Sequence, residues 1–472
     1  MLSVDENAKD LSDISARLIE KYAVPGPRYT SYPTAVEFHQ GVDNELWRTM
    51  LSQELNDADE SSSVSVYLHL PYCESLCYFC ACNKIISKDK QVTEPYLGLL
   101  EREFGIYREL LRGETRIQQI HWGGGSPNFF PGDSLAELYR LTVENFGALL
   151  ADAEVALEID PRTTTLDQLQ LLGCAGFNRI SMGVQDFNPV VQKLINRIQP
   201  YEMTARVCKE ARASGFKGIN IDLIYGLPAQ TIEGFAETIE RVLEIRPDRV
   251  ALYGYAHVTW IKKVQKALER SHMPTPRERI ELFKVALEKF SQAGYRYIGM
   301  DHFALPEDSL SQALDGGRLS RNFMGYTTHR GVRIIGCGIS AISTLQSGFA
   351  QNHKELGKYE AALAAGQLPL ERGLLRSKED QLRAAVIEHI FCSGRLDFEE
   401  LGEQWQISFR EHFCEELTRL VPLEQDGLVN IGEHYLEVTS LGRFFMRNIA
   451  MVFDGYLAKH QQREQKVFSQ AV

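Results

Sequence analysis

The sequence predicts an α/β fold built on an incomplete (β/α)6 barrel, with an N-terminal arm and a mainly helical, winged-helix-like C-terminal domain. Three observations lead there. Six short β-type segments recur between residues 63 and 257, with helical patterns between them. Each of the six ends in polar or glycine residues. The first is followed by a cysteine loop and not by a glycine-rich dinucleotide fingerprint, which favours the partial barrel over a doubly wound sheet.

Taken in order, residues 1–55 read as an arm. Tyr22–Pro33 carries Pro25, Pro27 and Pro33, which exclude a regular helix. Strands are expected at about 63–71, 117–123, 153–160, 178–185, 218–225 and 249–257, with helices such as Thr93 to Leu111 and Thr231 to Leu243 between them. This alternation implies parallel strands joined by right-handed crossovers. In such folds ligands bind at the carboxyl ends of the strands. Cys73, Gly123 to Gly125, Glu158 with Asp160, Gln185 with Asp186, Asp222 and His257 are therefore expected to converge. Residues 296–303 are expected to add a further strand, and the partial barrel with this extension spans 56–305. Residues 306–375 read as a connecting region closing over the site, its stretch 347–375 polar and glycine-containing. In 376–472, Lys378 to Ser393 and Phe409 to Leu420 look helical, and Ser408 with Glu411 has the form of a capping box. Asp426-Gly427 then opens a hairpin through 428–431 and 435–438. A DNA-binding reading of this wing is opposed by two Arg against three Glu between Ser408 and Leu420.

The 472 residues carry a formal net charge of -12, with 44% hydrophobic and 24% charged residues, as in ordinary globular proteins. No run of about 18 apolar residues suggests a membrane span. Met1 to Asp13 is polar and acidic, without an apolar signal core, so a cytoplasmic location is expected. The acidic balance argues against nucleic acid as a partner. It also means that an anionic substrate needs local Arg, Lys or His.

Four of the nine cysteines, Cys73, Cys77, Cys80 and Cys82, fall within ten residues; the others are scattered. A disulfide framework would spread them. The spacing C-x3-C-x2-C-x-C is too tight for the usual paired zinc ligands and differs from ferredoxin loops. It favours an iron–sulfur site over zinc, with three thiolates holding three irons and the fourth iron open to chelation. Tyr67 and His69 share one face of the first strand with Ser63 and Ser65, while Val64, Val66, Leu68 and Leu70 form the other. Because helices cover the outside of a barrel, the polar set should point inward.

The C-x3-C-x2-C loop after the first strand resembles the signature of radical S-adenosylmethionine (SAM) enzymes. From about Tyr22 to Tyr456 the chain resembles, more narrowly, the oxygen-independent coproporphyrinogen III oxidases. The residues carrying this are Gly26-Pro-Arg-Tyr-Thr-Ser-Tyr-Pro33, His121-Trp-Gly-Gly-Gly-Ser-Pro127, Glu158-Ile-Asp-Pro-Arg162 and Asn178 to Phe187. Asn220 to Pro228, Gly299-Met-Asp-His-Phe303 and Arg321 to Thr328 add to them.

The resemblance implies a radical SAM barrel in which Cys73, Cys77 and Cys80 ligate a [4Fe-4S] cluster, Cys82 being a family cysteine that does not. It implies two SAM molecules, one of them cleaved to a 5′-deoxyadenosyl radical that takes hydrogen from a propionate β-carbon. Loss of CO2 and an electron then leaves a vinyl group. Two such events give protoporphyrinogen IX in haem synthesis, with an unidentified electron donor. Tyr67, Gly124, Gly125, Ser126, Glu158 and Ile342 would contact SAM, the first molecule for Glu158 and Ile342. Phe79, Gln185, Arg197, Asp222 and Ala256 would line the second. Tyr67, His69, Glu158 and Phe323 are the catalytic candidates. The four substrate carboxylates suit Arg28, Arg321 and His257. Met324 stands where Gln is usual in the family, and Thr259 where Pro is common. The competing readings are a haem-trafficking relative and a radical SAM enzyme acting on another tetrapyrrole. Cys82 and the Arg28 to Pro33 arm favour the oxidase.

Overall fold

In the computed structural model, which describes residues 16–56, 63–111, 115–461 and 468–469, the six expected strands form the middle of one sheet. They are β1 (Ser63–Leu70), β2 (Arg116–Gly124), β3 (Ala148–Ile159), β4 (Arg179–Gln185), β5 (Gly218–Tyr225) and β6 (Arg249–Gly254). All are parallel and adjacent in chain order. Val64, Val66, Leu68 and Leu70 of β1 are fully buried and share a core with Leu100, Phe104 and Tyr107 of the helix Thr93–Leu111. Each such side chain contributes roughly 1.5–3 kcal/mol. A one-residue slip would exchange them for Tyr67 and His69, so packing fixes which face lines the barrel.

The sheet reaches further than the sequence suggested. A seventh parallel strand, Arg333–Cys337, lies against the free edge of β1. Beyond it run Ile342–Thr344, Gly348–Asn352 and Leu370–Leu375, all antiparallel. At the other edge Arg296–Gly299 and His302–Ala304 form a hairpin rather than the single strand expected over 296–303. The chain reverses at Met300, whose φ is 44°. The result is a twelve-stranded open sheet and not a closed barrel.

Two other expectations are corrected. The stretch 347–375 is no bare connection; it holds two strands and the helix Leu356–Ala364. Two of its polar residues are buried and bonded: the Asn352 amide donates to Glu103 and to the Gly338 carbonyl (2.7 and 2.9 Å), and that of Gln351 to the Ser340 carbonyl (3.1 Å). The first 55 residues are more than an arm. The helix Asn44–Asn56 buries Trp47 and Leu51 in the same core as β1.

In the C-terminal part, Ser377 and Asp380 form a capping box on the helix Lys378–Cys392. The box expected at Ser408 does not form, and the helix breaks at Phe413 into Phe409–His412 and Cys414–Gln425. Aromatic packing wins there: Phe409 stacks on Phe398, and Phe413 packs edge-on against Phe453. The wing is a three-stranded sheet of Arg395–Asp397, Tyr435–Val438 and Val429–Ile431. Tyr22, Tyr29 and Tyr32 join β4–β6 and these C-terminal elements in one core. No described helix is long and apolar enough to cross a membrane.

Candidate active site

The inner faces of β2–β6 enclose a lumen lined by His121, Glu158, Ser181, Asp222 and Tyr253, among others. Tyr67 of β1 stacks on His121 with ring centroids 6.0 Å apart, and His121 lies 3.4 Å from Glu158. The Nε2 of His69 is 2.8 Å from the Asn83 carbonyl, which only accepts, so Nε2 carries the proton. Nδ1 is then free to accept from the Tyr67 hydroxyl at 3.1 Å. Burial lowers the His69 pKa, which keeps the ring neutral.

The three glycines at the end of β2 are each required by a neighbour. A Cβ on Gly123 would lie 2.8 Å from a Glu158 oxygen, and one on Gly124 (φ 106°) 2.4 Å from the His69 ring. One on Gly125 would lie 2.5 Å from the Pro71 carbonyl carbon. The Gly125 and Ser126 amides donate to the carbonyls of Leu70 and Tyr72, both at 2.9 Å, which ties β2 to the first limb of the cysteine loop.

Ser126 Oγ is 3.6 Å from Cys73 Sγ. Cys77 Sγ lies 3.7 Å from Arg162 and 3.6 Å from Arg197, both of which pair with Asp160. Burial pushes the Cys73 thiol up to about 11, with Cys80 and Cys77 adding to it. Cys80 is held down, chiefly by a hydrogen bond from Cys82 and, against burial, by Lys84. No three described His, Cys, Asp or Glu side chains converge as ligands of a single ion. Three neighbouring thiols on one loop, with guanidinium groups at one of them, fit sulfur ligation of an iron–sulfur cluster.

On the far side, Gln185 (φ 70°) folds back so that a Gly183 Cβ would lie 2.6 Å from its amide. Arg197 donates to the Gly183 carbonyl at 2.7 Å. Burial, then the charge of Glu158, raise Asp222 to about 7 against hydrogen bonds from Asn220 and Ser181. Phe79 packs beside Ile224, Leu227 and Tyr255. Ile342 sits across from Tyr67 through Gly336, the Tyr67 register partner, whose Cβ would lie 2.6 Å from the Ile342 carbonyl. Glu158 and Asp222 line the same lumen, whereas Ala256 lines a neighbouring cavity beyond the end of β6.

Phe323 does not line the lumen. It packs edge-on with Phe38 and Phe349 in a cluster that Ile342 also touches, whereas its neighbour Met324 does line the lumen. Arg321 donates through one terminal nitrogen to the carbonyls of Arg28 and Tyr29 (2.8 and 2.7 Å), which pins the arm, and its Nε is buried without a hydrogen-bond partner. His257 is held between Tyr255 (3.1 Å) and Glu269 (3.0 Å). One organising residue escaped the sequence reading. The fully buried Gln265 donates to the carbonyls of Phe79 and Ala256 (3.0 and 3.2 Å), joining the cysteine loop to the end of β6. Nothing in its local sequence signals this, since both partners come from tertiary folding.

The open parallel sheet and its cysteine loop define a radical SAM enzyme. Residues 67–242 match the family model for the radical SAM superfamily, and residues 377–445 that for the HemN C-terminal domain. The oxygen-independent coproporphyrinogen III oxidase of Escherichia coli (strain K12) is 41% identical over 453 residues, covering 96% of this chain and 98% of that one. The Helicobacter pylori (strain J99) protein of the same name is 42% identical over 447 residues, 95% and 98% of the two chains. The solved structure of the Escherichia coli enzyme, described as a radical SAM enzyme, aligns with a TM-score of 0.88 at 40% identity, over 94% of this chain and 99% of that one. The chain belongs to the oxygen-independent coproporphyrinogen III oxidase family.

Proposed function

We propose that the protein converts coproporphyrinogen III to protoporphyrinogen IX without O2, by oxidative decarboxylation of two propionates to vinyl groups in cytoplasmic haem synthesis. The observation that carries this is the relationship to enzymes of that name over essentially the full length of both chains, arm and C-terminal part included. All nine cysteines are free thiols, which suits a reducing compartment.

When bound, the [4Fe-4S] cluster and SAM supply the one-electron chemistry that yields a 5′-deoxyadenosyl radical. The chain's own work is to hold and orient these groups. Cys73, Cys77 and Cys80 are the cluster ligands in this reading, and Arg162 and Arg197 hold the Cys77 end. Glu158, Gly124, Ile342 and the Tyr67 hydroxyl, oriented by neutral His69, take the first SAM; Gly125 and Ser126 extend that cradle. Gln185, Arg197, Asp222, Ala256 and Phe79 take the second. At each propionate a hydrogen atom passes from the β-carbon to the 5′-carbon of deoxyadenosine, CO2 leaves, one electron passes to an external one-electron acceptor, and the C=C bond forms. Held by Cys73, Cys77 and Cys80, the cluster would take one electron from an external donor for each SAM cleaved.

The test is anaerobic incubation of reconstituted protein with SAM, a reductant and coproporphyrinogen III. Two successive losses of CO2 in the product mass are expected. Stable haem binding without SAM cleavage would point to trafficking instead.

A further inference from the structure

A second cavity lies beside the lumen where β5 and β6 end. Arg28, Arg279, Arg443 and Arg447 line it, and Asp301 is the sole carboxylate among its described lining residues. Its other walls are aromatic, including Tyr225, Phe283, Tyr297 and Phe444. In a chain of net charge -12, four guanidinium groups facing one carboxylate are a local reversal of sign.

The four differ in what already holds them. Arg447 donates to the carbonyls of Gly26 and Pro27 and anchors the arm. Burial, then the charge of Arg28, lower it to about 9, as a cavity rich in cations would. Arg28 bonds the Gly254 carbonyl at 2.9 Å and lies 3.6 Å from Asp301. Arg443 donates to the Ile298 carbonyl at 3.1 Å and lies over the Tyr297 ring, with no carboxylate partner among the described residues. Arg279 lies over the Tyr225 ring, its Nε buried without a hydrogen-bond partner. Glycines make room for its head: a Cβ on Gly226 would lie 3.0 Å from Nε, and one on Gly254 3.2 Å from a terminal nitrogen. That puts the Arg279 guanidinium at the ends of β5 and β6, two residues from Ala256.

An aromatic-walled cavity with surplus guanidinium groups fits the edge of an apolar macrocycle bearing several carboxylates. We infer that this cavity holds the propionate carboxylates of the tetrapyrrole that are not reacting, with Arg279 and Arg443 as the residues that select for them. This rests on the tetrapyrrole reading above. The same carboxylate chemistry could come from the methionine part of a bound SAM, and the test separates the two sources.

The ligands are coproporphyrin III, the stable oxidised form of the macrocycle, its tetramethyl ester, and SAM, each titrated anaerobically into cluster-loaded protein. Arg279→Met and Arg443→Met should each weaken coproporphyrin binding about tenfold or more, the scale of a charge-assisted contact. Ester binding and SAM affinity should be unmoved, and Arg279→Lys should recover part of the loss. Arg140→Met, an exposed charge on another face, should bind as the parent does. If SAM affinity falls and coproporphyrin affinity does not, the cavity serves SAM and the assignment is overturned. A parent that decarboxylates coproporphyrinogen while both Met variants bind coproporphyrin normally overturns the assignment alone. A parent that cleaves SAM yet neither binds coproporphyrin nor decarboxylates coproporphyrinogen sinks the tetrapyrrole reading itself.

Discussion

Replacing Asp222 by Asn separates two consequences of one carboxylate. Asp222 is raised from about 3.8 to about 7, first by burial and then by the charge of Glu158. A group raised in the folded state contributes stability that is complete below its unfolded value and is lost as the pH rises through its folded value. Asp222 should therefore become a burden between about pH 4 and pH 7. At ~1.4 kcal/mol per pKa unit the cost reaches at most about 4 kcal/mol by pH 8, and less than half of that at pH 5. Asn has no such cost, so its advantage should grow by roughly 2 kcal/mol between pH 5 and pH 8. For a chain of 472 residues, that is a rise of roughly 2 °C in Tm relative to the parent. The assay is calorimetry of cluster-free parent and variant at both pH values, with SAM stoichiometry measured separately on the cluster-loaded proteins. The account expects a Tm difference that widens with pH and a fall from two bound SAM to one. A difference that is flat or shrinks with rising pH would refute the electrostatic argument. An unchanged stoichiometry would remove Asp222 from the second site.

Other outcomes follow from the same geometry. Cys73→Ala, Cys77→Ala and Cys80→Ala should each lose cluster iron and brown colour, whereas Cys82→Ala should keep a cluster; anaerobically purified parent protein carrying only zinc would contradict this. Gly125→Ala forces a methyl group to 2.5 Å from the Pro71 carbonyl carbon, so it should lower iron content, read by iron analysis against the parent. Met324→Gln adds a hydrogen-bonding side chain to the lumen and should change turnover or affinity by roughly 2–10-fold, the range of one net hydrogen bond. Unchanged kinetics with a lowered Tm would make Met324 a packing residue only.

Much of the fold was legible because its signal is local. Val64, Val66, Leu68 and Leu70 alternate with a polar face, and Thr231 starts its helix by accepting the Gly234 amide. The seventh parallel strand, Arg333–Cys337, was not legible. Its five residues include Gly336, which is there because the Ile342 carbonyl leaves no room for a Cβ. The polar stretch around Gln351 and Asn352 misled for the opposite reason, since its partners lie far away in sequence. At the site, the cysteine spacing announced itself; Glu158 and Asp222 share the lumen, whereas Asp186 is buried against Gln230 and Thr238 and His257 is tied to Glu269. Arg321 and Arg279 show the limit of such reading. One is tied to the arm and the other faces a cavity, a difference made by tertiary neighbours alone.

The most direct test of the account uses coproporphyrinogen III deuterated at the propionate β-carbons, with the anaerobic, cluster-loaded protein and unlabelled SAM. The account predicts deuterium in the 5′-deoxyadenosine released and a product that has lost CO2 twice. Release of 5′-deoxyadenosine without deuterium, with the tetrapyrrole unchanged, would contradict it.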